Sequence, residues 1–194
     1  MPQVLDPEES AFLKLINNLR QSQNPPIAPL KVSQALTRSA KWKSQDMANN
    51  NYFQHSDLNP PRDPQTRMKY FGYNHPTSTG ENIAAGFRYA QDAYKEWLTA
   101  CDGPVNACTY AHRANMLNSN YKVIGIGRAF NANSDYKWYW TTDFGGYLDQ
   151  TIETRETFAP IEQFNNPSQK WFGILLVIII LIMIFMMMKT NKKL

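Results

Sequence analysis

The feature that most constrains this chain is a long run of uncharged residues near its C-terminus. Eighteen residues rich in Ile, Leu and Met, Trp171 to Met188, lie between Lys170 and Lys189. As a helix that rises 1.5 Å per residue, the run spans ~27 Å, which matches the hydrocarbon core of a bilayer. The alternative is a buried core helix, but a terminal segment that is apolar on every side has nothing to bury it. We therefore predict that the protein binds a membrane through one transmembrane helix, residues 171–188, with its tryptophan as an interfacial anchor.

The charge of the chain excludes one class of partner. The basic tail 189–194 holds three of the 20 basic residues, which leaves 17 basic against 16 acidic residues before the hydrophobic segment. The folded part is therefore nearly neutral, although the pI of the whole sequence is ≈ 9.0. Nucleic-acid binding needs a basic face on the domain, so we expect no nucleic-acid partner.

Two orientations in the membrane are open. The first nine residues lack the basic and apolar regions of a secretory signal, so insertion is expected to depend on the C-terminal helix. Three lysines after that helix, against one before it, favour a cytoplasmic tail and an extracytoplasmic domain. Insertion of such a late helix without a signal would instead leave the domain in the cytosol.

A cysteine pair favours the extracytoplasmic orientation. Cys101 and Cys108 enclose six residues rich in turn formers, and such an octapeptide can close into a disulfide loop. In the chain-entropy model the bond contributes about 2.5 kcal/mol to stability. Two free thiols or half of a metal site are the alternatives, but this spacing is wider than that of zinc-binding cysteine pairs. We predict the disulfide.

Helix signals dominate the first two thirds of the chain. Asp6-Pro7-Glu8-Glu9 supplies an N-cap, an N1 proline and a capping-box glutamate, and predicts a helix to about Gln21. Ser33 is the expected cap of a second helix that runs to about Asn50. Further helices are predicted over 65–71, over 89–100 and from residue 111.

The last part of the domain is predicted to be a hairpin followed by a stalk. Strands are expected over 121–130 and 136–144, joined by the loop 131–134, because bulky and β-branched residues alternate in the second strand. Residues 147–170 are polar and aperiodic, and predict a stalk between the domain and the membrane.

The three histidines of the chain raise the question of a metal site. His55 follows the second predicted helix, His75 lies in a proline-rich loop, and His112 opens a short helix, while Glu81 is the nearest candidate carboxylate. Two imidazoles and a carboxylate can bind zinc and leave one position open. Spacing alone does not bring these residues together, and a lone histidine is more often a polar residue with ordinary partners than a ligand.

Five motifs in order resemble one known family. They are Leu15-Ile16-Asn17-Asn18-Leu19-Arg20, Tyr52-Phe53-Gln54-His55-Ser56, Gly80-Glu81-Asn82-Ile83, His112-Arg113-Ala114-Asn115-Met116-Leu117 and Trp138-Tyr139-Trp140-Thr141-Thr142-Asp143-Phe144-Gly145. Together they resemble the CAP superfamily, also called SCP-like, in its shorter bacterial-type branch. The resemblance covers about residues 7 to 146, and we assign residues 1–146 to this domain.

The resemblance implies an α+β fold, a three-layer α-β-α sandwich with a central cleft. The family places two histidines and two glutamates in that cleft. Here His55 and His112 match the histidines and Glu81 matches the first glutamate, with Asn115 as a further cleft residue. The position of the second glutamate is Ala100 in this chain, so one member of the set that would bind zinc or another divalent metal is missing.

Three functions follow from the resemblance and the residues. A membrane-displayed binding module for a sterol, another lipid or a surface protein is favoured, because no strong nucleophile is visible. A metal-dependent hydrolase is the alternative, with Glu81 as general base, the histidines as zinc ligands and Ser56 as the hydroxyl to test against His112. The sequence has neither the His-Glu-x-x-His motif nor a nucleophile elbow. The third possibility is a structural envelope or surface protein, in which the anchor and stalk matter and the cleft has no role. Under any of these functions, His55, Glu81 and His112 could instead form a structural hydrogen-bonded network.

Overall fold

The first helix begins where its capping signals predict. The computed structural model describes residues 4–101, 103–104 and 107–152. Helix α1 (Pro7–Gln21) starts after Asp6, whose side chain accepts a hydrogen bond from the backbone of Glu9, while the Glu9 side chain accepts one from the backbone of Asp6. This reciprocal pair satisfies two backbone donors at the start of the helix.

Helix α2 (Gln34–Asn50) packs directly on the backbone of the central sheet. Ser33 caps it as predicted, and Asn51, in the left-handed conformation with φ 51°, ends it. A Cβ added at Gly125 would lie 2.0 Å from the carbonyl carbon of Leu36 in this helix, and one at Gly127 would lie 2.4 Å from that of Ala40. Glycine is therefore required at both positions, because any side chain would push helix and strand apart.

Three shorter helices complete the helical elements of the described residues. They are α3 (Pro64–Tyr70), α4 (Ala90–Thr99) and α5 (Ala111–Leu117). Each lies within a residue or two of its predicted position.

The strands form one mixed five-stranded sheet. They are β1 (Lys31–Ser33), β2 (Thr79–Ala85), β3 (Val123–Phe130), β4 (Trp138–Gly145) and β5 (Thr151–Ile152). Their spatial order is β2-β4-β3-β1-β5. Only the β1–β3 pair is parallel among these strands. The predicted stalk starts at residue 147, but β5 pairs with β1, so sheet pairing continues to Ile152.

Helices cover both faces of this sheet. Helices α2 and α3 lie on one face, which we call the α2 face, and α1, α4 and α5 lie on the other, the α1 face. Successive side chains of a strand point to opposite faces. In β4, Trp140 and Phe144 therefore join the core with Phe12 of α1 and Trp97 of α4, whereas Asp143 points to the α2 face. The α+β class with helices on both sides of a mixed sheet is confirmed.

The predicted disulfide between Cys101 and Cys108 is present. The predicted transmembrane helix 171–188, the stalk beyond residue 152 and the tail 189–194 lie outside the described residues. Among the residues that the structure does describe, no helix has the length and apolarity needed to cross a membrane.

Candidate functional site

The central pair of the site consists of His55 and Glu81. His55 lies in the loop between α2 and α3, and Glu81 lies on the edge strand β2. Nδ1 of the imidazole is 2.8 Å from Oε1 of the carboxylate. The histidine side chain is 52% exposed and the glutamate side chain is 2% exposed. The structure thus joins two of the predicted site residues, one buried and one at the surface.

A buried arginine occupies the other side of the glutamate. Nη2 of Arg67, from α3, forms an ion pair with Oε2 of Glu81, and Nη1 lies 2.7 Å from Oδ1 of Asp57. The same guanidinium donates to the backbone carbonyl of His55 and to the hydroxyl of Ser39, both at 3.3 Å. Burial lowers the pKa of Arg67, but the surrounding carboxylates outweigh burial and raise it above its usual value. The arginine therefore stays charged and fixes the glutamate in place.

Asp57 connects this pair to two further cations. Nζ of Lys43, from α2, lies 3.3 Å from Oδ1 of Asp57 and also donates to the Ser56 carbonyl and the Tyr52 hydroxyl, both at 3.0 Å. Nε of Arg62 lies 2.9 Å from Oδ2 of the same aspartate. Burial, and next the charge of the nearby arginine in α3, lower the pKa of Lys43. The loop that carries His55 is thus held by charge-assisted hydrogen bonds on both of its sides.

A third carboxyl group lies beneath the glutamate. Asp143 is the cross-strand neighbour of Glu81 and is fully buried. Its Oδ1 is 3.8 Å from Nη2 of Arg67, and neither of its oxygens has a hydrogen-bond partner among the described residues. Burial, followed by the charge of Glu81, raises the pKa of Asp143 well above its usual value. The neutral form of this aspartic acid is therefore favoured in the fold.

His112 belongs to the helical layer on the α1 face. Its ring stacks on Trp97, with the ring centroids 6.5 Å apart. Its backbone carbonyl accepts a hydrogen bond of 3.0 Å from Asn82, whose side chain in turn accepts one of 2.8 Å from Asn115. Asn115 also donates to the backbone carbonyl of Glu81 at 3.3 Å. These contacts join α5 to β2.

This arrangement does not fit a zinc ion at Glu81. One carboxylate oxygen contacts His55 and the other contacts Arg67, so a metal would have to displace a buried guanidinium or lie beside its charge. Within the described residues, no three His, Cys, Asp or Glu side chains are grouped so that they could hold a metal. Zinc binding stays a prediction.

Ser56, the hydroxyl singled out from the sequence, is exposed. Its backbone carbonyl accepts from Lys43, and in the described part of the chain no hydrogen bond joins its hydroxyl to His55. The pair of Ser56 and His112, which the sequence singled out, stays a prediction.

Sequence reasoning missed five charged residues of the network. They are Lys43, Asp57, Arg62, Arg67 and Asp143. Two of them carried a signal. Lys43 falls on the helical stripe of Leu36, Ala40 and Met47, which is apolar elsewhere, and Asp143 interrupts a strand that is buried on both faces. A charge at a core position predicts a buried partner.

The fold and the site together define a CAP domain, in which the Gly-Glu-Asn-Ile strand carries the central glutamate. The model of the cysteine-rich secretory protein family, CAP, matches residues 13–144. The chain belongs to this family.

Relatives with known sequences or structures agree with this assignment. The uncharacterized protein YkwD of Bacillus subtilis is 33% identical over 145 residues, which are 75% of this chain and 49% of YkwD. An extracellular protein of Bacillus anthracis that contains an SCP domain is 26% identical, with a TM-score of 0.56, over 71% of this chain and 40% of that one. An outer surface protein of Borrelia burgdorferi is 20% identical, with a TM-score of 0.58, over 76% of this chain and 100% of its own, which shows the shared fold. The chain thus spans about half the length of the curated relative that it matches.

Proposed function

We propose that this domain is a binding module whose polar recognition group is the ring of His55. The observation that carries the proposal is the state of Glu81, which is 2% exposed and has both oxygens engaged. A carboxylate held in this way orients a histidine and is not available as a general base. In the tautomer whose Nδ1–H donates to Glu81, Nε2 is an acceptor. The ligand is therefore expected to offer a hydroxyl or another hydrogen-bond donor.

An exposed aromatic pair near this histidine indicates that the rest of the ligand is apolar. Phe53 and Tyr136 are 43% and 49% exposed, and their ring centroids are 5.8 Å apart. Phe53 precedes His55 by two residues, so their Cα atoms are at most ~7 Å apart. A single hydroxyl on an apolar body matches this combination, and among the predicted partners a sterol has that composition. Attachment to a membrane through residues 171–188, with the domain extracytoplasmic, is part of this proposal and would bring the domain close to lipids.

The test is cholesterol binding by the full-length chain in detergent, compared with His55→Ala and Phe53→Ala. We expect each substitution to weaken cholesterol binding at least tenfold, which corresponds to ~1.4 kcal/mol. The hydrocarbon cholestane lacks the hydroxyl, so it should bind the wild type as weakly as cholesterol binds His55→Ala. His75→Ala is the matched control, because this histidine lies outside the network. Equal cholesterol binding by wild type and His55→Ala would assign the sterol to the hydrophobic segment and overturn the proposal.

The hydrolase alternative has one observation in its favour. A histidine oriented by a carboxylate is the base half of a catalytic triad. Zinc titration by calorimetry, on the wild type and on the His55→Ala/His112→Ala double variant, separates the two functions. Stoichiometric binding that the double variant loses would make this a metal centre and favour hydrolysis, whereas no binding agrees with the recognition module.

A further inference from the structure

A cavity lies at the N-terminal end of α2 and shares no residue with the His55 network. Its volume is about 430 Å³, within the range of small-molecule sites. Its walls are the start of α2, the turn after α3, and the segment 147–150 that leads into β5. Its walls carry two charged side chains, Arg38 and Asp149, and two aromatic ones, His75 and Tyr147.

Asp149 supplies a carboxylate oxygen that lacks a partner. Its Oδ2 accepts a hydrogen bond of 2.7 Å from the hydroxyl of Ser33, the N-cap of α2. Its Oδ1 is buried and has no hydrogen-bond partner among the described residues. A buried, unsatisfied carboxylate oxygen is unfavourable, so a ligand that donates to this oxygen gains the free energy of a charge-assisted hydrogen bond.

Arg38 supplies the opposite charge. Nη2 donates to the backbone carbonyl of Phe71 at 2.9 Å, which orients the guanidinium. This is its one hydrogen bond within the described residues, and a guanidinium has five N–H groups. The remaining N–H groups can bind a carboxylate in the bidentate geometry that arginine favours. Burial raises the pKa of Asp149, and the nearby side chains of His75 and Arg38 oppose that rise.

An aromatic wall stands beside these charges. The rings of His75 and Tyr147 are stacked, with centroids 4.0 Å apart and planes at 22°. The backbone N–H and carbonyl of Tyr147 both hydrogen-bond to the hydroxyl of the buried Tyr73, at 2.9 and 2.8 Å. The wall is therefore fixed to the core, while the Tyr147 side chain remains half exposed.

We propose that this cavity binds a small zwitterion, an α-amino acid with an aromatic side chain. The ammonium group donates to Oδ1 of Asp149, the carboxylate binds the Arg38 guanidinium, and the side chain packs on the wall formed by His75 and Tyr147. This site is independent of sterol binding at His55.

The test is calorimetric titration of the full-length chain in detergent with L-phenylalanine up to ~10 mM, a concentration that fills even a millimolar site. We expect saturable binding of L-phenylalanine. 3-Phenylpropionate, which lacks the ammonium group, and phenethylamine, which lacks the carboxylate, should each bind at least tenfold more weakly. Asp149→Asn and Arg38→Gln should each weaken L-phenylalanine at least tenfold, whereas His55→Ala should leave its affinity unchanged.

Three outcomes would overturn the assignment. Absence of saturable binding to the wild type rejects the site itself. Equal affinity for L-phenylalanine and both analogues rejects the zwitterion, and this comparison needs no variant, so it holds even if a substitution disturbs the fold. Loss of L-phenylalanine binding in His55→Ala would place the ligand in the His55 network and reject this cavity.

Discussion

The two faces of the sheet are packed with different kinds of side chain. On the α1 face, Phe12 contacts Trp97 edge to face at 5.1 Å and Trp140 at 5.8 Å, in a core of apolar side chains. On the α2 face, small apolar clusters flank the network of Lys43, Arg67 and the buried carboxyl groups. The α2 face also carries His55, a polar side chain that is half exposed and is oriented by a buried carboxylate.

The comparison separates stability from function. Apolar burial stabilises a fold wherever shapes match, whereas a buried ion pair contributes little net stability because desolvation offsets the attraction. A buried charge network nevertheless holds its members in defined directions. We infer that the α1 face supplies most of the stability and the α2 face supplies the geometry of the site.

The largest loss of stability is expected from a substitution on the α1 face. Phe12→Ala removes a fully buried ring from the aromatic cluster and leaves a cavity, so we expect a loss of about 4 kcal/mol in the free energy of unfolding. Urea unfolding followed by tryptophan fluorescence measures it. Lys14→Ala, an exposed position on the same helix, should change the stability by less than about 0.5 kcal/mol. If Phe12→Ala lost as little stability as the control, the α1 face would not supply most of the stability of the fold.

A smaller loss is expected on the α2 face. Arg67→Met keeps much of the side-chain volume but leaves Glu81 and Asp57 without their guanidinium, and we expect a loss of about 3 kcal/mol. Adding Glu81→Gln should recover part of it, because an amide tolerates burial better than an unpaired carboxylate. The control is Lys69→Met, an exposed residue of the same helix. If the double variant were less stable than Arg67→Met, the loss would not arise from the unpaired carboxylate.

The smallest effect depends on pH and should appear only on the α2 face. The pKa of Asp143 is raised in the fold above its usual 3.8, so its stabilising contribution is complete below that pH and is lost as pH rises through the folded pKa. Asp143→Asn cannot ionise. We expect its stability relative to wild type to increase from about pH 4 upwards, with a gain of about 1 kcal/mol near pH 7.

Urea unfolding across this pH range checks the trend, with Asp135→Asn, an exposed aspartate, as control. A stability difference between Asp143→Asn and wild type that does not change with pH would show that Asp143 is ionised in the fold.

Local signals predicted most of the fold. The capping box of α1, the serine cap of α2 and the alternation in β4 each depend on residues close in sequence, and each prediction is confirmed. Strands β1, β2 and β5 were missed. Strands β1 and β5 have three and two residues, too few to show a period, and the first four residues of β2, Thr79 to Asn82, show no alternation of apolar and polar side chains. Their pairing depends on partners far along the chain.

The site was predictable only in part, for the same reason. The resemblance identified His55 and Glu81, and the structure joins them. The cation at the other side of the glutamate is Arg67, in a proline-rich loop region whose short helix has no pattern that marks a core position. Lys43 carried a signal, but its partner Asp57 is 14 residues away and meets it only after the loop closes.

The contact of α2 with the glycines of β3 fixes how this domain can change over evolutionary time. Arg38 and Lys43 lie on this one helix. Arg38 lines the cavity at its N-terminal end, and Lys43 donates to the backbone carbonyl of Ser56, the residue after His55. Inserting a single residue between them would rotate one relative to the other by about 100°, and the helix has no room to compensate by moving away from the strand. Changes of ligand in either site are therefore expected to come from the loops, while the length of α2 stays constant.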